Sequence, residues 1–187
     1  DSDLRLGNGL VSVAGGARVF AAGPGVTEIA QAPASVATVT VHGAVSQWSQ
    51  SLGTLKVATD PNGGVGAVTV ENGGQAFFLR GELGAGVVAI SGDDSLLDFE
   101  ERLEVGAREG ALLTVSDFGR VQAEEFAAGA LPISGEAPQV RVDGGELTAM
   151  ADAELAVAAD ATLTISNGGQ ALAADPLVGF VASILGR

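Results

Sequence analysis

The chain has 187 residues, with 9 basic and 23 acidic side chains, no cysteine and a net charge of −14. The lack of cysteine excludes disulfides, thiol chemistry and cysteine-ligated metal sites. The scarcity of Lys and Arg argues against a nucleic-acid partner, because phosphate contacts need clustered positive charge.

No run of about 18 apolar residues occurs in the sequence, so we predict no membrane span. No signal peptide is recognisable either, and we therefore expect a mature form or an excised piece of a longer chain. The 47% hydrophobic content and the 28 glycines are typical of a tightly wound β structure rather than of disorder.

One pattern occurs three times along the chain, after a partial first copy. Equivalent glycines in the three copies, Gly43, Gly92 and Gly144, are 49 and 52 residues apart. Self-similarity at such a period indicates stacked units that share one continuous core. We predict an all-β fold with a single solenoid domain over residues 1–174, divided into a partial repeat at 4–37 and repeats at about 38–86, 87–137 and 138–174.

Each full repeat contains three short apolar-x-apolar triplets rich in Val, Ile and Thr. This alternation is typical of strands with one buried face. Residues 93–105 resemble a helix when they are read alone, but their alignment with the other copies favours a strand. In chain order the triplets are Val39/Val41, Leu55/Val57 and Val68/Val70, then Val88/Ile90, Leu103/Val105 and Leu113/Val115, then Val140/Val142, Leu155/Val157 and Leu163/Ile165.

The equivalent triplets predict an interior ladder of side chains. We expect Val70, Val115 and Ile165 to stack in one such ladder, and Ile165→Asp to destabilise the fold by several kcal/mol because it buries an unpaired charge.

The end of the chain predicts a different element. Asp175 and Pro176 are suited to the N-cap and first position of a helix, and an apolar stripe follows. We predict a helical cap within residues 175–187, over Pro176 to Leu185, and expect truncation after Ala174 to promote association. The stripe consists of Leu177, Val181, Ile184 and Leu185.

The full repeat resembles the type V secretion and PEP-CTERM-associated repeat of autotransporter passenger domains and other exported bacterial surface proteins. The first full repeat, at about 38–86, departs least from this family pattern. In the second and third full repeats Trp48 is replaced by Leu97 and Ala149, and in the second Phe118 replaces the first glycine of the Gly-Gly corner. The resemblance implies a right-handed parallel β-helix on an exported protein, and it implies no catalytic residues. The matching residues are Val39, Val41, Gly43, Ser46, Trp48, Leu55, Val57, 68–74 and 162–171.

Calcium is the one ion for which the sequence offers candidate ligands, because oxygen atoms cluster near one corner. Residues 61–70 only half-match the calcium-binding nonapeptide, since Val68 stands where its ligand Asp belongs. Solvated acidic loops are the alternative interpretation, and no other cofactor is predicted. The candidate ligands are Asp93, Asp94, Asp98, Glu100 and Glu101.

An enzymatic alternative is a carbohydrate-active β-helix, either a polysaccharide lyase or a glycoside hydrolase. A glycosidase needs two carboxylates across a groove, which Asp98 with Glu100 or Glu101 would supply. Trp48 is interpreted as a packing residue, because apolar residues fill its place in the other copies. His42 is interpreted as a corner residue before a glycine rather than as a catalytic one.

The sequence therefore favours a structural or adhesive repeat domain of an extracellular or cell-surface bacterial protein over an enzyme. The chain opens at Leu4 in the middle of a repeat, which predicts an exposed apolar cross-section at that end. End-to-end association with other copies, or a ligand on another surface, is the expected partnership.

Overall fold

The structure, a computed structural model, describes residues 3–129, 136–155, 161–178 and 182–184. The chain alternates between two parallel sheets and so forms a β-solenoid. Among the described residues, sheet A contains the strands β1 (Leu4–Leu6), β3 (Arg18–Phe20), β4 (Val26–Ile29), β6 (Gln47–Val57), β8 (Gln75–Leu83), β10 (Leu96–Val105), β12 (Arg120–Ala128), β14 (Glu146–Leu155) and β16 (Gln170–Val178). Sheet B contains β2 (Gly9–Ala14), β5 (Val36–His42), β7 (Val65–Glu71), β9 (Gly86–Ser91), β11 (Ala111–Ser116), β13 (Gln139–Asp143), β15 (Thr162–Ser166) and β17 (Ala182–Ile184).

The predicted all-β solenoid is confirmed, and so is the strand at 93–105, which the structure places at Leu96–Val105. The right-handed sense of winding stays a prediction, which agrees with the general preference for right-handed crossovers between parallel strands.

The interior of sheet B is a ladder of β-branched side chains, one from each coil. Its central members are fully buried, and the predicted alignment of Val70, Val115 and Ile165 is confirmed, with Ile90 and Val142 between them. Because the side-chain period of a strand is two, this register places every alternate residue in the core. The ladder runs through Val13, Val41, Val70, Ile90, Val115, Val142 and Ile165.

Each sequence repeat corresponds to two coils rather than one. Val41 from the first triplet of a repeat lies directly opposite Val70 from the third triplet, in neighbouring strands of sheet B. In sheet A, the pair Leu55/Val57 lies opposite Gly81/Leu83, which lies opposite Leu103/Val105. The intervening coil has a glycine where its neighbours have Leu, so the sequence pattern recurs only at every second coil.

An aromatic cluster fills the interior beside the bulge in the sheet A strands. The Trp48 ring meets Phe78 edge to face at 5.0 Å between centroids, and Phe78 stacks with Phe99 at 6.1 Å. Gly81 leaves room for this stack, because a Cβ atom there would lie 2.4 Å from Cε1 of Phe99. The interpretation of Trp48 as a packing residue is confirmed, since its side chain is buried.

The predicted C-terminal helix is wrong for the residues that the structure describes. Residues 175–178 complete β16, in register with β14, and Ala182–Ile184 form β17 against β15. Asp175 and Pro176 pair in register with Asp152 and Ala153 of β14, so pairing of the backbone outweighs the local signal for a helix start. Residues 179–181 and 185–187, which the predicted cap also includes, lie outside the described residues.

Candidate functional site

Four corners between sheet B and sheet A, among the described residues, share one backbone conformation with two consecutive positive φ angles. In chain order, the first, second and fourth have 63° and 79° at Gly15 and Gly16, 53° and 82° at Asn72 and Gly73, and 50° and 78° at Asn167 and Gly168. Asn-Gly is the pair that best tolerates such a turn. The third corner has 49° and 66° at Asp117 and Phe118, so a bulky aromatic residue occupies a position that favours glycine.

Phe118 is held in this conformation by its neighbours and gains little burial from it. Its N–H donates to the carbonyl oxygen of Gly144 in the next coil at 3.0 Å, and the Gly119 N–H donates to Ser116 at 2.8 Å. The Phe118 side chain is nevertheless 72% exposed. Strained residues that the surrounding structure holds in place are concentrated at ligand-binding sites, so this corner is a candidate site.

Phe118→Gly is expected to stabilise the fold. A left-handed conformation costs a non-glycine residue about 1–2 kcal/mol, and the extra freedom of glycine in the unfolded chain offsets about 0.5–1 kcal/mol of that gain. Urea unfolding should therefore show a net increase of about 0.5–1 kcal/mol in the free energy of unfolding. A clear loss of stability would show that the ring packs against the fold.

A groove of about 520 Å³ lies beside Phe118, at the corners of three successive coils. We call it the corner groove. One wall is a row of polar residues, in which Arg120 pairs in register with Glu146 and Glu146 with Gln170. Further lining residues are Asp117, Asp143, Gly144, Gly145, Asn167 and Gly168.

Asp143 is fixed in the corner groove by two hydrogen bonds. The Ser166 hydroxyl donates to its Oδ1 atom at 2.9 Å, and the Asn167 side-chain amide donates to the same oxygen. The groove as a whole combines three carboxylates with one guanidinium and two amides. It therefore presents both donors and acceptors beside an exposed ring, with an excess of negative charge.

The acidic residues predicted as calcium ligands lie elsewhere. Asp93 and Asp94 lie in the turn before β10, whereas Asp98, Glu100 and Glu101 lie within that strand. Glu101 forms an ion pair with Arg80. Within the described ranges, no three carboxylate or imidazole side chains are grouped so that they could hold a metal ion.

The Asp98 carboxyl has a raised pKa. Partial burial raises the pKa of its carboxyl, repulsion from Glu100 raises it further, and a hydrogen bond with the backbone of Phe99 lowers it in part. Its neighbours in register are Phe77 and Gln122. Burial is thus the largest cause of the raised pKa, and repulsion from Glu100 is the second.

Asp98→Asn is expected to raise the melting temperature slightly at neutral pH. Because the folded pKa lies above the unfolded value, the folded state holds the proton more tightly. The resulting stability is fully present below the unfolded pKa and is lost as the pH rises through the folded pKa, so the advantage of Asn should shrink on acidification. Melting temperatures of wild type and Asp98→Asn, measured from neutral pH down through the pKa of Asp98, test the prediction. A difference in melting temperature that does not change with pH would contradict it.

His42 ends β5 and precedes Gly43, whose φ is 89°. Its register partners are Ala14 and Glu71 on neighbouring strands, and its side chain is exposed. The structure thus places it at a corner, as predicted.

Sequence reasoning did not predict the corner groove. The available signal was the departure of Phe118 from the Gly-Gly corner of the other copies. A phenylalanine at a position that requires positive φ is neither a core residue nor a favourable turn residue. This mismatch between residue type and position could have indicated a binding role for Phe118.

No protein-family model, curated protein or solved structure matches this chain. The part of the chain that the structure describes has no helix long and apolar enough to cross a membrane. The β-solenoid fold therefore rests on the structure, and the surface-protein repeat remains a resemblance.

Proposed function

We propose that the chain is a structural or adhesive repeat domain of an exported bacterial cell-surface protein, as a stalk, passenger or surface filament element. The continuous interior ladder of sheet B, from Val13 to Ile165, is the observation that carries the proposal. Each coil adds about 4.8 Å to the stack. A stack of this kind is a stiff spacer whose corners are free to present binding residues.

The charges of the outer surface support this role. Lys56 pairs with Glu82 at 2.9 Å and Arg102 with Glu125 at 3.4 Å, between neighbouring strands of sheet A. Exposed pairs of this kind contribute about 0–1 kcal/mol each. With a net charge of −14, the surface favours solubility and opposes lateral clumping.

The proposal includes end-to-end contact between copies, or contact with a ligand on another surface. In the first coil, Leu4 is 42% exposed and Leu10 is 69% exposed. A small apolar cavity of about 50 Å³ lies beside Leu4, Leu6 and Val11. An exposed strand edge with apolar side chains is a template for pairing. Light scattering at increasing concentration should reveal association, and a strict monomer throughout would remove self-association from the proposal.

Surface display is tested by brief protease treatment of intact cells that produce the chain. Peptides of this chain should be released while a cytoplasmic marker protein stays intact. Release only after lysis would contradict display at the surface. In this experiment the protein should be produced with its native export signals, so that its location in the cell is not altered.

A carbohydrate-active enzyme is the function to distinguish from this proposal. Purified chain is incubated with a panel of polysaccharides, and the release of reducing ends or unsaturated sugars is measured. We expect no turnover. Turnover that is lost in an Asp98→Asn or Glu100→Gln variant would overturn the non-catalytic role and support the enzyme.

A further inference from the structure

We propose that the corner groove binds an uncharged oligosaccharide, with Phe118 as the platform on which one sugar ring stacks. The proposal deepens the adhesive role and rests on it for its biological purpose. The binding itself is a property of the folded chain. It can therefore be measured on the purified protein.

The Phe118 ring is the first part of the argument. Its side chain is 72% exposed in a left-handed conformation, with φ of 66°, where three equivalent corners of the described chain have glycine. A planar ring with a negative face attracts the weakly positive C–H groups on the apolar side of a sugar. The exposed phenyl ring of Phe118 is therefore not needed for the fold, and it is suited to stacking against a sugar ring.

The polar rows of the groove are the second part. Arg120, Glu146 and Gln170 lie in register on three neighbouring strands, about 4.8 Å apart at each step. A sugar hydroxyl both donates and accepts hydrogen bonds, and so does this alternation of guanidinium, carboxylate and amide. Asp143, oriented by Ser166 and Asn167, adds a fixed acceptor to the same surface.

Charge and composition narrow the class of ligand. Three carboxylates against one guanidinium disfavour an acidic polysaccharide or a phosphate. A metal ion is disfavoured because no three carboxylates among the described residues are grouped to hold one. A peptide would need pockets for its side chains, whereas polar groups and glycines dominate the lining around the exposed ring.

The test uses Phe118→Gly, with Phe20→Thr as the matched control. Phe20 is also an exposed phenylalanine, 62% exposed, but it lies in β3 at the far end of the stack. Wild type and both variants are applied to an array of neutral, amino-substituted and acidic oligosaccharides. Affinities for the bound members are then measured by calorimetry, and circular dichroism checks that each variant is folded.

Wild type should bind at least one neutral oligosaccharide, and Phe118→Gly should weaken that binding by about tenfold or more. Phe20→Thr should leave it unchanged. No binding by wild type at millimolar glycan, binding of acidic members only, or equal affinity in Phe118→Gly would each overturn the proposal. Binding of a lysine-rich peptide in place of the glycans, lost in Phe118→Gly, would also overturn it and assign the groove to a basic peptide. None of these four outcomes bears on surface display, which the protease treatment of intact cells tests separately.

Discussion

Val115→Asp is expected to lower the free energy of unfolding by about 4 kcal/mol or more, because it places an unpaired carboxylate in an apolar interior. Val115 is fully buried and lies between Ile90 and Val142 in the ladder of sheet B. Since domains are stable by only about 5–15 kcal/mol, the variant should be close to unfolding at neutral pH. Urea titration monitored by circular dichroism measures the loss.

Thr114→Asp is the matched control on the same strand. Thr114 points to the opposite face of sheet B and lies beside Arg141 on the neighbouring strand. A carboxylate there remains hydrated and has a positive neighbour, so the change should be about 1 kcal/mol or less. Equal losses in the two variants would show that the inward and outward assignments of this strand are wrong.

Ile165→Asp should lower the free energy of unfolding by less than Val115→Asp does, because Ile165 is only partly buried.

Phe78→Ala is expected to destabilise the fold by about 3–5 kcal/mol, which is typical for a phenylalanine deleted from a core. The Phe78 side chain is fully buried and contacts both Trp48 and Phe99. Its removal leaves a cavity that the surrounding coils fill only in part, because each coil is held by its neighbours on both sides. Thermal and urea unfolding measure the loss, and the emission of the single tryptophan reports whether water enters.

Phe118→Gly provides the contrast, because it also deletes a phenyl ring but is expected to stabilise. Phe78 is fully buried, so its deletion loses packing, whereas Phe118 is 72% exposed and its replacement by glycine relieves a left-handed backbone conformation. Phe78→Leu should lose less than Phe78→Ala because it keeps most of the volume. A small loss in Phe78→Ala would mean that the aromatic cluster is not a packed core.

The all-β solenoid and the inward residues of sheet B followed from the sequence because each strand keeps a period of two. Val70 and Val115 were assigned to the core from that alternation alone, and both are fully buried. The register between coils was harder to predict. Gly81 and Phe126 occupy the inward place of Leu55 and Leu103 in alternate coils, so the recurring pattern concealed half of the coils.

The C-terminal strand and the corner groove were missed for different reasons. At Pro176, local preferences for a helix start were outweighed by pairing of the backbone with β14. The groove is formed by residues from three coils, and their proximity depends on a register that the sequence does not display. Phe118 was noticed as a departure from the repeat, but its exposure depends on how the corner projects.

Each repeat of about 49 residues forms two coils of one parallel stack, and a distance across the stack tests this arrangement. The chain contains no cysteine, so spin labels can be attached specifically at Thr40→Cys and Arg141→Cys, on the outer face of sheet B. These positions belong to the same triplet of the first and third repeats, and β7, β9 and β11 lie between their strands.

Electron paramagnetic resonance should give a narrow distribution with about 19 Å between the labelled backbones, four strand spacings of about 4.8 Å. A distance of about 10 Å, as expected if each repeat formed a single coil, or a broad distribution without a defined distance, would show that the repeats do not stack as two coils each.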